Sequence, residues 1–150
     1  MQNTLIRSVT FTGVGLHSGA PVTMTVHPAA EDHGICFRRT DVVTGDAQVP
    51  AQWDAVVPSR LCTLVANAAG VSVSTIEHIM AALAGSAIHN ALIDIDGPEV
   101  PILDGSAAPF VSGFLDAGIV AQGAPVNILK HAASSHTARV LSEFLQGRTD

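Results

Sequence analysis

Residues 21–28, PVTMTVHP, place Val22, Met24 and Val26 on one side of an extended chain and Thr23 and Thr25 on the other. Strict alternation over this length describes a strand with one face in a core and the other in water. Such a strand needs neighbours. Residues 4–12 and the GICFRR stretch, with Ile35 and Phe37, repeat the extended signal, so the chain opens as an antiparallel sheet. RLCTLVA (60–66), VSVS (71–74) and NALIDID (90–96) add further strands. The stretch 41–58, with two prolines and the only tryptophan, reads as irregular and as a place for a small insertion.

The period changes after residue 74. In STIEHIMAALAG, residues 74–85, Ile76, Ile79, Met80 and Leu83 fall at helical spacing and form one apolar stripe, with Gly85 ending the helix. SAAPFVSGFLDAG reads as a second helix, with Ser106 as N-cap, Gly118 just past its end, and Phe110, Val111, Phe114 and Leu115 as its buried stripe. No repeat of fixed period is present. Strands interleaved with two helices predict an α+β fold, a two-layer sandwich of a mainly antiparallel sheet with two helices.

Charge and composition remove several classes of function. A net charge of −6 with only seven Lys and Arg offers no basic footprint for nucleic acid or for anionic membranes. No stretch reaches the length of a membrane span. The first residues lack the basic start and long apolar core of a signal peptide. Cys36 and Cys62 form no spacing motif and read as reduced thiols. These features predict a soluble, cytoplasmic location.

On the first helix, His78 lies roughly 160° and Glu77 roughly 110° from the centre of the apolar stripe. Their face also carries Ala81 and Ala82, where a solvated helix would normally show long polar side chains, so something is expected to pack closely there. Ser74 and Glu77 have the S-x-x-E spacing of a capping box, in which the Glu would only close the helix end. His78 could likewise be an ordinary surface histidine. The alternative is chemical: the first helical turn favours an uncharged imidazole, which is the form that binds zinc. A neighbouring carboxylate is then placed to take a proton from metal-bound water. Taken by themselves, the residues supply one candidate ligand and one candidate base.

TGVGLHSG, RLCTLV, VSTIEHIMAALAG, HNALIDIDGPEVPILDGSAAPFV and FLDAGI occur in an order and spacing that resemble the zinc-dependent UDP-3-O-acyl-N-acetylglucosamine deacetylases of lipid A biosynthesis. The resemblance covers about residues 4–120 and implies a deacetylase-like N-terminal domain at 1–120, followed by a divergent tail at 121–150. It implies a two-domain parent with the active site between the domains, and a UDP-linked acylated amino-sugar as substrate. By resemblance, His78 is a zinc ligand and Glu77 the general base. Leu61, Cys62 and Thr63 line the site near the metal, and His17 lies near the cleft. The helix face that carries the alanines would look toward the second domain.

The same resemblance implies that the parent's other two zinc ligands lie in an H-K-x-x-D stretch of the second domain, which has no counterpart in these 150 residues. His131 and His136 are five apart, a poor spacing for one helix face. The tail reads instead as a C-terminal helix with Val140, Leu141, Phe144 and Leu145 on one side. Asp104 reads as a turn residue and His89 as a loop histidine before a strand. A zinc hydrolase needs about three protein ligands and an open position, so the expectation is half a site, completed by a second-domain partner. The competing expectation is an inactive binding or regulatory protein that forms a homodimer or docks a partner through the exposed inter-domain face. A nucleotide-binding module has little support, because TGVGLHSG lacks the G-K-[ST] of a P-loop and its strand–loop–helix context.

Overall fold

The computed structural model describes residues 1–126. The expected C-terminal helix falls outside them, as do His131 and His136. Strands β1 (Asn3–Leu5), β2 (Val9–Val14), β3 (Pro21–Pro28), β4 (Ile35–Arg39) and β5 (Gln48–Pro50) are followed by a short 3-10 turn, Trp53–Ala55. Then come β6 (Val56–Val57), β7 (Leu64–Ala66), β8 (Ser72–Ser74), α1 (Glu77–Gly85), β9 (Ala91–Ile95), α2 (Ala108–Ala117) and β10 (Ile119–Ala121). A five-stranded sheet in the order β2-β3-β9-β4-β5 forms the main layer, and β4 and β9 are its parallel pair. A three-stranded sheet, β6-β7-β8, and a β1-β10 pair complete an α+β architecture that is mainly antiparallel.

The alternation in β3 works as its pattern demands. Met24 and Val26 are fully buried, as are Ile93 and Ile95 on β9 and Phe37 on β4. Across the core, Ile79, Ala82 and Leu83 of α1 and Phe110 and Phe114 of α2 pack against this face of the sheet. Phe11 on β2 meets Phe110 and Phe114 edge-on, at ring-centroid distances of 5.0 and 6.0 Å, which ties α2 to the sheet. On the opposite face, Ser8 Oγ lies 2.8 Å from His27 Nδ1, and His27 Nε2 lies 3.2 Å from Asp94. The Arg38 guanidinium grips Asp94 with both arms, holding that carboxyl below the usual acid range.

Several local expectations are corrected. The extended stretch 4–12 divides between two sheets, because β1 pairs with β10 and β2 pairs with β3. Of 60–66, only Leu64–Ala66 is strand, since the ladder with β8 ends at Leu64 and the next N–H, of Thr63, turns to the Glu77 side chain. The insertion at 41–58 holds an edge strand and the first strand of the small sheet, and its Trp53 is 82% exposed.

There is no capping box. Ser74 ends β8, and both its N–H and its hydroxyl donate to the Pro98 carbonyl, at 2.9 and 3.2 Å. Helix α1 therefore starts at Glu77, with Ile76 as N-cap and no side-chain cap. Ala82 belongs to the core, so the small-residue strip exposed beside Glu77 is Ala81, Ala84 and Gly85. On α2, the Ser106 hydroxyl accepts the Ala108 N–H at 3.1 Å, one residue away from the cap position, Ala107. Leu115 is 65% exposed, because Phe110, Phe114 and Ala117 already fill the i, i+4, i+7 stripe. Among the described residues no helix is long and apolar enough to cross a membrane.

Candidate functional site

The site begins with an awkward turn. Strand β8 stops at Ser74, and Thr75 adopts φ +59°, a left-handed conformation that is rare for a β-branched residue. That turn swings the chain from the sheet into α1, so Glu77 and His78 become the first two helical residues. Thr75 is itself held on both sides: its N–H donates to the Thr63 carbonyl at 3.0 Å and its hydroxyl to Glu99 at 2.9 Å.

Glu77 points back toward the strand it faces. Its Oε1 accepts the backbone N–H of Thr63 in a short hydrogen bond. Burial pushes this carboxyl up. The N–H groups of Glu77 and Thr63, the Thr63 hydroxyl and the neighbouring His78 more than offset that, so it lies below the ordinary glutamate value. Glu77 is thus an oriented, ionised acceptor at the helix start. His78 is half-buried, and its ring makes no hydrogen bond among the described residues.

Leu61, Cys62 and Thr63 precede β7. Leu61 is 80% exposed, Cys62 is half-buried with its sulfur 3.5 Å from Ser59 Oγ, and Thr63 holds Glu77. The structure therefore couples 61–63 to the Glu77 carboxylate through Thr63. His17 sits on the exposed loop between β2 and β3, where its backbone N–H donates to Glu99 at 2.9 Å. His89 lies before β9 with Nδ1 accepting the Asn3 N–H at 3.0 Å, and Asp104 Oδ1 accepts the N–H and hydroxyl of Ser106 in a turn. Both have the roles their positions suggested, and neither joins the site.

Glu99 is the residue that sequence reasoning missed. PEVPIL reads as an exposed turn, yet Glu99 is 4% exposed and its carboxylate accepts from His17, Ser18 and Thr75. A charged residue between two prolines in an apolar run was the available signal, because a buried charge there must find donors.

Zinc in a hydrolase takes about three protein ligands with one position left open. Among the described residues no group of three or more His, Cys, Asp or Glu could hold a metal ion. The one imidazole at the start of α1 fits a share of such a centre and does not fit a whole one.

Known proteins similar to this chain identify its family. A family profile described as UDP-3-O-acyl N-acetylglycosamine deacetylase matches residues 2–143. Over 129 residues the chain is 48% identical to the UDP-3-O-acyl-N-acetylglucosamine deacetylase of Actinobacillus succinogenes, 50% to that of Vibrio cholerae serotype O1 and 47% to that of Pasteurella multocida. Each match takes in 86% of this chain but only 42% of the relative, so the chain spans less than half the length of the relatives it matches. With a profile that covers nearly the whole chain and close to half of the aligned residues identical, the chain belongs to the UDP-3-O-acyl N-acetylglycosamine deacetylase family.

Proposed function

We propose that this chain supplies the first half of a zinc-dependent amide hydrolase that removes the N-acetyl group from UDP-3-O-acyl-N-acetylglucosamine in the cytoplasm, the committed step of lipid A biosynthesis. Residues 1–120 form the deacetylase-like domain and 121–150 a divergent tail. The observation that carries the reading is the Glu77–His78 pair on the first two positions of α1, with the Glu77 carboxylate aimed by the Thr63 amide. His78 contributes one imidazole to the metal, and a second half contributes the remaining ligands. When bound, zinc supplies a Lewis acid for the acetamide carbonyl and acidifies water. Glu77 then acts as general base: already ionised and held by the Thr63 N–H, it takes the proton of the attacking water and can return it to the departing amine. Leu61 is exposed and offers apolar surface; by the family resemblance it would line the substrate side together with Cys62, Thr63 and His17.

The test is reconstitution. Zinc per chain and acetate release from UDP-3-O-acyl-N-acetylglucosamine are measured for the chain alone and with the separately purified second half of one of the relatives above. The chain alone should retain no stoichiometric zinc and release no acetate. The mixture should hold about one zinc per complex. In the mixture, His78→Ala should lose zinc and turnover, while Glu77→Gln should keep zinc and lose turnover. Zinc uptake indifferent to His78→Ala would sink the assignment.

A second reading is an inactive binding or regulatory protein that dimerises or docks a partner through the exposed inter-domain face, the side of α1 that carries the alanines. The exposed Ala81, Ala84 and Gly85 on that face favour it. It requires concentration-dependent association in sedimentation that Ala81→Glu abolishes. A monomer at all concentrations excludes the homodimer.

A further inference from the structure

Glu99 stands outside the residues assigned above, yet more of the site converges on it than on any of them. Its Oε1 accepts two bonds, from the His17 N–H and the Thr75 hydroxyl, both at 2.9 Å, and its Oε2 accepts the Ser18 N–H at 2.9 Å. The donors come from two segments far apart in sequence: the loop that presents His17, and the left-handed turn two residues before Glu77. The backbone around Glu99 reinforces both ties. Ser74 and Glu99 form a parallel bridge, with the Val100 N–H donating to the Ser74 carbonyl at 3.1 Å, and Gly15 bridges Pro101.

Gly15 shows how closely the loop is wrapped on the carboxylate. A Cβ there would lie 2.2 Å from Glu99 Oε2 and 2.2 Å from Ser18 Oγ. Two successive N–H groups facing one anion form a nest, and here the protein fills that nest with its own side chain. The carboxylate is ionised throughout the neutral range. Burial opposes its charge, and the N–H and hydroxyl donors of His17, Ser18 and Thr75 overcome that and bring it down to about 2.

We propose that Glu99 is the positioning residue of the candidate site, its one carboxylate holding the His17 loop and the Thr75 turn that launches Glu77 and His78 in a single relative geometry. The proposal rests on the hydrolase reading only for what is being positioned. Oε1 is the bridge, since it alone serves both segments, and Oε2 anchors the loop. A glutamine at this position can keep its carbonyl oxygen at the bridging site and turn its amide toward the Ser18 hydroxyl. An alanine removes the bridge, and a valine at position 75 cuts only its α1 end.

The test uses solution NMR on the labelled full chain, reading amide exchange at His17 and Ser18 and the imidazole carbon–proton signals of His78. Phe37 and Ile93 amides report whether the core is intact. Glu99→Ala should raise exchange at His17 and Ser18 by about tenfold or more, the loss of roughly one hydrogen bond's worth of protection, and should shift the His78 ring signals in the same sample. Glu99→Gln should restore the His78 signals and His17 protection because it keeps an acceptor oxygen at the bridging position, whereas Glu99→Met, of similar volume but with no acceptor there, should not. Thr75→Val, which swaps a hydroxyl for a methyl of the same shape, should shift the His78 ring and the His17 amide together.

If the His78 signals stay at their native positions in Thr75→Val while the core is intact, the bridge is refuted and Glu99 is a loop anchor only. Should Glu99→Ala fail to fold, Thr75→Val decides alone. None of these readouts involves zinc or turnover, so failure of the hydrolase reading in the reconstitution experiment and failure of the bridge are separate results.

Discussion

Acid should unfold this domain earlier than its other carboxylates require, and one side chain should account for much of the difference. Folding lowers the Glu99 carboxyl from 4.5 to about 2, in a residue that is 4% exposed. A carboxyl made more acidic by folding stabilises the fold at every pH above its unfolded value, and that contribution drains away as pH falls through the folded one. A drop of 4.5 − 2 = 2.5 units, at about 1.4 kcal/mol per unit, is worth about 3 kcal/mol at pH 7. By the same linkage it falls below about 1 kcal/mol at pH 2.5. Glu99→Gln cannot titrate, so the stability gap between it and the native chain measures this term and cancels the other acids. Urea unfolding at pH 7, 4 and 2.5, followed by far-ultraviolet circular dichroism, reads the gap. Trp53, 82% exposed, is a poor fluorescent reporter of the core. The gap should narrow by about 2 kcal/mol or more between pH 7 and 2.5. A gap that is constant with pH would refute the reasoning, because it would mean the carboxylate is no better solvated in the fold than in the unfolded chain.

Gly15→Ala should cost about 2 kcal/mol or more, since its Cβ would need space held by Glu99 Oε2 and Ser18 Oγ at 2.2 Å, and chemical denaturation reads the loss. Phe110→Ala should cost about 3–5 kcal/mol, because it empties a fully buried site and removes the edge-on contact with Phe11. Leu115→Ala, on the same helix and of the same apolar type, should stay within about 0.5 kcal/mol. Gly113→Ala should destabilise by about 1–3 kcal/mol by driving a Cβ to 2.7 Å from the Phe11 ring, with the loss read as a lower melting temperature. Cys62 should react with a thiol reagent well before Cys36, which is buried and whose thiol burial pushes up; equal rates would contradict the burial.

The motifs carried the family and the candidate base and ligand, because Glu77 and His78 are adjacent in sequence and helical period alone separates them from the core stripe. The fold class was equally local information. Alternation in β3 and i, i+3, i+4 spacing in α1 are each read within a dozen residues. Boundaries were less legible wherever a long-range partner decided them. Residues 4–12 look like one strand until β10 and β3 claim different halves, and the capping box dissolves once Pro98 takes the Ser74 donors.

Local pattern determined which faces of which elements are apolar, and thereby an α+β sandwich with Glu77 and His78 turned away from the core, since periodicity is a property of neighbouring residues. Tertiary structure decided where the polar groups of the site find their partners. Thr63 reaches Glu77 across 14 positions, and Glu99 gathers His17, Ser18 and Thr75 from as far as 82 positions away. A buried carboxylate must be met by donors wherever the chain can bring them, and only the packed fold brings these together.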